Sequence, residues 1–275
     1  MIQRRLLTES GWDWGDFAMN KKKHISSWHI WVLIALIFVA LAVRYLTSPW
    51  YQTELLLDAI EEQDIEKIQE ILGSGHDPNH PNIPPSNWWS FIETSARLPL
   101  AQACWEGNEE IIRLLIDYGA TAEYQDYCGW SPLRHSLFRY EPSDEDIIPL
   151  LLQHGADPWL EEGDYNAVFA AAEMYPWKMR PEVSRVYNAD VAEGITRIVA
   201  LLLGDENVNV TTKNGETLLM CASKRGNLAL AEYLLEQGAN PMTTDNSGKS
   251  ALDYAQANNH QSIVDLLHEY ISEKS

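Results

Sequence analysis

Positive charge is scarce in this chain of 275 residues: 20 Lys and Arg stand against 40 Asp and Glu, a formal net charge of −20. A protein that grips a phosphate backbone needs a basic footprint, so nucleic acid is not an expected partner. Cysteine is scarcer still. Cys104, Cys128 and Cys221 are too few and too scattered for a disulfide framework or a four-ligand zinc site. Catalytic signatures are missing as well, with no Gly-x-Ser-x-Gly and no His-Glu-x-x-His. Ser247-Gly248-Lys249-Ser250 looks like the end of a phosphate-binding loop, but Thr243 stands where that loop needs glycine. His76, Asp77, Asn79 and His80 share one turn without a third strong metal ligand, so a solvated turn is the expectation there. The sequence therefore predicts no enzyme, no cofactor, no metal and no small-molecule substrate.

What is present is enough to build a core: 45% of residues are hydrophobic and 10% aromatic. The charge is divided unevenly. Up to Arg44 there are six basic residues and three acidic ones, whereas the rest of the chain carries 14 basic against 37 acidic. The junction is Trp28 to Leu46, 19 residues whose only charged or strongly polar members are His29 and Arg44. As a helix it would span about 28 Å, the thickness of a hydrocarbon layer. Fourteen uninterrupted apolar residues from Ile30 to Val43 leave no polar face, which argues for a membrane span over a buried core helix. Trp28, Trp31, Tyr45, Trp50 and Tyr51 suit interfacial belts.

Orientation follows the flanking cations. Lys21-Lys22-Lys23 precede the span, and after Arg44 the next basic residue is Lys67. The expected layout is a short cytoplasmic tail over residues 1–27, a signal-anchor helix over 28–46, a linker over 47–53 and a translocated body over 54–275. In a bacterium this is a single-pass inner-membrane protein with its body in the periplasm; in a eukaryote the body is lumenal or extracellular. Met19 followed by Asn20 and the three lysines also reads as a start site, which leaves the first 18 residues as an upstream extension or a tail. Ala40-Leu41-Ala42 matches a small-x-small cleavage site, but no helix breaker separates it from the apolar run, so the uncleaved anchor is favoured.

The body is periodic. Leu98-Pro99-Leu100, Ser131-Pro132-Leu133, Thr217-Leu218-Leu219 and Ser250-Ala251-Leu252 each open a helical pattern. A second pattern recurs as Ile111 to Leu115, Leu150 to Leu152, Ile198 to Leu203, Tyr233 to Leu235 and Ile263 to Leu267. Gly119-Ala120, Gly155-Ala156 and Gly238-Ala239 fall between units, where a left-handed residue after a helix favours glycine. Leu100 to Leu133 and Leu219 to Leu252 are both 33 residues.

With that period and those signatures, the body resembles the ankyrin repeat. The resemblance implies an all-α ankyrin-repeat solenoid of about six helix-pair units, here preceded by one transmembrane helix. The units are read at 54–79, 97–124, 129–160, 163–209, 215–242 and 248–272. The first lacks the opening signature and reads as an amino-terminal cap. The fourth is the least regular, with Glu206 aligned at the terminal glycine and Ala167 to Leu219 spanning 52 residues. The excess is placed as an insertion at 173–193, and a second insertion at 79–95.

In ankyrin domains the hairpin tips and first helices line a concave face that binds proteins. The resemblance assigns to that face Trp105, Tyr124, Tyr127, Trp130, Arg134, Trp159 and Tyr165, together with Gln102, Glu106, Asp126, Glu161, Glu162 and Asp164. Trp88, Trp89 and Trp177 of the two insertions complete the expected partner-binding set, with folding back onto unit two open beside it for Trp88 and Trp89. Trp, Tyr and Arg dominate interface hot spots, although Trp105 and Trp159 also suit packing between units. Cys104 reads as a packed small side chain, and a Cys104–Cys128 disulfide in an oxidising compartment stays open beside that reading.

The expected function is a membrane-anchored protein-binding module whose acidic body attracts a basic protein. An immunity protein or inhibitor that occludes a secreted antibacterial effector is the most concrete version. An envelope scaffold or chaperone that docks a resident enzyme is the alternative.

Overall fold

The computed structural model describes residues 27–82, 97–126, 129–139, 146–163, 165–173 and 189–274. It falls into two units, Met1–Thr47 and Ser48–Ser275. In the first, helix α1 (Ser27–Leu46) exposes apolar side chains along its length, among them Trp31 at 69% and Phe38 at 68%. Among the described residues no single helix is long and apolar enough to cross a membrane; Ile30–Leu46 meets that measure only when counted with the helix that follows.

Among the described residues the second unit is a stack of six helix pairs: α2 (Pro49–Glu62) with α3 (Ile65–Gly73), α4 (Pro99–Glu106) with α5 (Glu109–Asp117), α6 (Pro132–Arg139) with α7 (Ile147–Gln153), α8 (Ala167–Ala172) with α9 (Ala189–Leu203), α10 (Leu218–Arg225) with α11 (Leu228–Glu236), and α12 (Ala251–Ala257) with α13 (Gln261–Glu273). Short polar side chains start these helices by accepting orphan backbone N–H groups. Asp64, Asn108, Asn166, Thr217, Asn227 and Ser250 each accept from the N–H three residues on. First helices pack in sequence, α2 on α4, then α6, α8, α10 and α12, while α11 joins α9 to α13. One continuous core results, from Leu56 and Ile60 through Ile111, Leu133 and Phe169 to Leu234 and Leu267.

Side chains also tie unit to unit. Asn79 donates to the Gly119 carbonyl at 2.8 Å and accepts from Thr121 N–H at 2.9 Å. Asn209 does the same towards Gly238 and Asn240, at 3.2 and 2.7 Å.

Three boundaries differ from expectation. Helix α2 begins at Pro49, so residues 49–53 of the expected linker are its first turn. Ser48 caps it and Pro49 occupies a first-turn site where no N–H is needed. Helix α9 begins at Ala189, which takes the last residues out of the insertion placed at 173–193. The left-handed residue that ends α9 is Gly204, with φ of 56°, two residues before Glu206. At the other insertion, Asn82 N–H donates to the Arg97 carbonyl at 3.1 Å and closes the base of the loop. The residues between, 83–96, lie outside the described set.

Cys104 and Cys221 are buried free thiols, and burial pushes both above the ordinary thiol range. Cys104 packs as a small buried side chain, and Cys128, the other half of the disulfide left open above, lies outside the described residues.

Candidate functional site

Three of the turns between units share one construction. Asp126, Thr212 and Asp245 each donate a backbone N–H to the carbonyl four residues on, at 2.9 Å. Their side chains accept the N–H of that same residue, Trp130, Glu216 and Lys249 respectively. Gly129, Gly215 and Gly248 sit within these turns at φ of 75–78°, a conformation that a Cβ disfavours. In two of the turns the aspartate has a second task. Asp126 Oδ2 pairs with His135 Nε2 at 2.8 Å, and Asp245 Oδ2 accepts from the Tyr254 hydroxyl at 2.6 Å. The partner lies nine residues on in both cases, one turn inside the following helix.

Around the first of these turns the aromatics gather. Trp130 stacks on Phe138 with centroids 4.7 Å apart and rings inclined by 17°. Trp105 of α4 reaches the same group edge-on, 6.2 Å from His135. The Arg134 guanidinium lies 5.3 Å from the Trp130 centroid and 3.8 Å from Glu162, a nearly fully buried carboxylate that accepts from Ser131 N–H at 2.6 Å. Burial pushes the Glu162 carboxyl above its ordinary value, while the Ser131 hydrogen bonds and the charges of Arg134 and His135 oppose this. Burial lowers Arg134 in turn, against the pull of Glu162.

A second group spans units four to six. Lys224 is shared between Glu173 at 3.2 Å and Glu216 at 2.5 Å, and Arg225 closes on Glu173 at 2.6 Å. Tyr165 donates its hydroxyl to Glu216 at 2.9 Å, and Lys224 lies 5.1 Å from the Tyr254 centroid. Burial and the hydrogen bond to Glu216 push Tyr165 above the ordinary phenol range. For Tyr254 the bond to Asp245 comes first, and its hydroxyl is pushed up to about 12.

The sequences of known proteins agree with this architecture. The family described as ankyrin repeats, three copies, matches residues 56–162 and 189–275, well over half of the chain. The chain belongs to the ankyrin-repeat family. It is 30% identical over 174 residues to the ankyrin repeat and KH domain-containing protein mask-1 of Caenorhabditis elegans, covering 63% of this chain and 6% of that protein. It is 26% identical over 198 residues to the fowlpox virus ankyrin repeat protein FPV230, covering 72% of this chain and 89% of that protein. It is 30% identical over 164 residues to an ankyrin repeat-containing protein of Treponema pallidum, 59% of this chain and 48% of that one. The chain thus spans under half the length of two of these three relatives. Among solved structures, the ankyrin repeat protein EF0377 aligns with a TM-score of 0.56 at 25% identity, over 78% of this chain and 97% of that chain. A chain in the complex of the endopeptidase Bd0816 from Bdellovibrio bacteriovorus with the immunity protein Bd3460 aligns with a TM-score of 0.54 at 21% identity, with the same coverages.

Of the residues expected to bind a partner, the ankyrin stack brings Trp105, Trp130 and Arg134 into one group. Tyr165 belongs to the second group. Trp159 is partly buried and packs against the core, as the packing alternative expects, and Tyr124 is exposed at 51%. Trp88, Trp89, Tyr127 and Trp177 lie outside the described residues, as does Asp164. Sequence reasoning missed His135, Phe138, Glu173, Glu216, Lys224 and Tyr254. The recurring Asp-x-x-Gly turn with a His or Tyr nine residues after the Asp was the available signal for His135 and Tyr254.

Among the described residues no group of three or more His, Cys, Asp or Glu could hold a metal ion. His76 Nε2 and His80 Nδ1 instead converge on the buried Thr53 hydroxyl, each at 3.1 Å. Burial lowers the His76 pKa, as does the neighbouring His80, while Asp77 opposes them. The fold therefore favours neutral His76. Below the ordinary value of 6.5 the unfolded chain binds more protons at this position, so its contribution to stability falls as the pH falls. Urea titrations at neutral and mildly acidic pH are expected to show wild type losing more stability than His76→Gln on acidification. Equal losses would contradict this assignment.

Proposed function

We propose that this chain is a membrane-anchored inhibitor that binds and occludes a secreted antibacterial effector, an immunity protein acting on the translocated side. The observation that carries the reading is the group of Trp105, Trp130, Arg134 and His135 on the first helices and turns of units two and three. These residue types supply anchoring area and directed charge at protein interfaces. The acidic body, with 14 basic against 37 acidic residues beyond Arg44, favours a basic partner and a faster encounter with it. The apolar side chains exposed along α1, with Lys21, Lys22 and Lys23 before it, suit a single inner-membrane anchor with a cytoplasmic amino terminus and a periplasmic body. A fold of this kind is also found in a structure of an endopeptidase with an immunity protein, the type of assembly proposed here.

The test is affinity capture with the full chain in mild detergent, at low and moderate salt, with Trp130→Ala alongside. The expected result is capture of a basic secreted hydrolase, lost with Trp130→Ala and weakened by salt, and protection of cells that produce this hydrolase in the periplasm. Capture of a resident envelope enzyme that ignores the substitution would overturn the inhibitor reading in favour of a scaffold.

A further inference from the structure

We infer that His76 and His80 form an acid-sensitive fastening, which holds the start of the stack closed at neutral pH and loosens it on mild acidification. Both rings converge on one hydroxyl: His76 Nε2 and His80 Nδ1 each lie 3.1 Å from Oγ1 of Thr53, a fully buried residue of α2. That hydroxyl has a single hydrogen. The Pro49 carbonyl at 3.0 Å and the His80 carbonyl at 3.4 Å can only accept, so the hydrogen is committed to a carbonyl. The two lone pairs of the oxygen then take one N–H from each ring. Neutral His76 therefore carries its hydrogen on Nε2 and neutral His80 on Nδ1.

The turn that holds these rings is also a junction. Asn79 bonds the Gly119 carbonyl and the Thr121 N–H of the next helix pair. Asn82 donates its side-chain amide to Glu54 of α2 at 2.6 Å and its backbone N–H to the Arg97 carbonyl at 3.1 Å. The two histidines thus fasten α2 to the segment that meets unit two.

Acid acts here through charge. The second proton of each ring goes to the nitrogen that does not face Thr53, and it turns two rings with centroids 6.0 Å apart into two cations beside a buried hydroxyl. Asp77 in the turn favours a charged His76, while burial and His80 oppose it. Glu54, the carboxylate that α2 brings to the turn, already accepts from Asn82, and the contacts from unit two, Gly119 and Thr121, carry no charge. One positive ring is tolerated beside Asp77, but a second meets repulsion and lost hydration. Once the turn opens, both rings reach water and bind protons freely, so opening becomes easier as the pH falls below the ordinary histidine value of 6.5.

The test is hydrogen exchange on the full chain in detergent micelles at pH 7 and pH 5, with protection corrected for the pH dependence of exchange itself. Wild type is compared with the double variant His76→Gln, His80→Asn, whose amides keep a donor at the Nε2 and Nδ1 positions but take up no proton. In wild type, protection within residues 49–62, 76–82 and 119–122 is expected to fall about tenfold between the two values, while α11 keeps its protection. The double variant is expected to hold protection in all of these segments. Nitrogen NMR of wild type labelled at histidine checks the arrangement independently of any variant's folding, with Nε2–H expected at His76 and Nδ1–H at His80 at neutral pH. Unchanged protection in wild type, an equal fall in the double variant, an equal fall in α11, or different tautomers would each overturn the assignment.

Discussion

Phe169→Ala is expected to cost about 3–5 kcal/mol and to split one unfolding transition into two. Phe169 is a fully buried aromatic on α8, a helix of six residues. That helix contacts α6 on one side and α10 on the other, as well as its own partner α9. In a stack where each unit touches only its neighbours, stability is a sum of unit and interface terms. Emptying the middle of the stack therefore weakens two interfaces together and frees each half from the other. Two probes can separate the halves, because all 11 tryptophans lie at or before Trp177. Fluorescence reports the amino-terminal part alone, whereas circular dichroism follows helices in both. In wild type the two urea transitions should coincide, and in Phe169→Ala they should part. Phe169→Leu, which keeps most of the volume, should keep them together. Coincident transitions in the alanine variant would mean that the units are coupled over more than one interface.

Lys224→Met is expected to cost about 3 kcal/mol, the low end of what breaking a buried ion pair costs, since Lys224 keeps some exposure to water. The substitution leaves Glu216 without its cation and Glu173 with Arg225 alone. Reverting the imbalance should recover stability: Lys224→Met with Glu216→Gln is expected to be less destabilised than the two single changes added together. The pH dependence has a definite sign. Burial opposes the Lys224 charge, but the Glu216 hydrogen bond and the Glu173 charge outweigh it, so the pKa is raised above the ordinary 10.5. The contribution is fully present below 10.5 and is lost as the pH rises through the higher folded value. Denaturant titrations from neutral pH to pH 10 should show a constant gap between wild type and Lys224→Met. A gap that closes within that range would contradict the assignment.

Much of the stack was legible because its signals are local. Gly119, Gly155 and Gly238 after the second helices, and Leu100, Leu133, Leu219 and Leu252 inside the first ones, place the units by spacing alone. The errors arose where local signals competed. Ser48-Pro49 is a helix start, but it follows an apolar run and was read as its linker. Gly204 ends α9 two residues before the alignment placed that position, because a helix stops where a left-handed residue follows it and not where a consensus puts one. The ion pairs were out of reach for a different reason. Glu173 and Lys224 are 51 residues apart across an insertion, and no repeat rule supplies that offset. Within the aromatic group, residue type singled out Trp105, Trp130 and Arg134. Their convergence depends on α4 packing against α6, which periodicity predicts only in outline.

The central claim is that a protein partner docks on the first helices and turns of units two and three. Hydrogen exchange on the full chain, with and without the captured partner, tests it most directly. The account predicts added protection within residues 97–106 and 129–138, centred on Trp105 and Trp130, with no change in α5 or α13. Protection confined to the second helices, or to the far end of the stack, would contradict it.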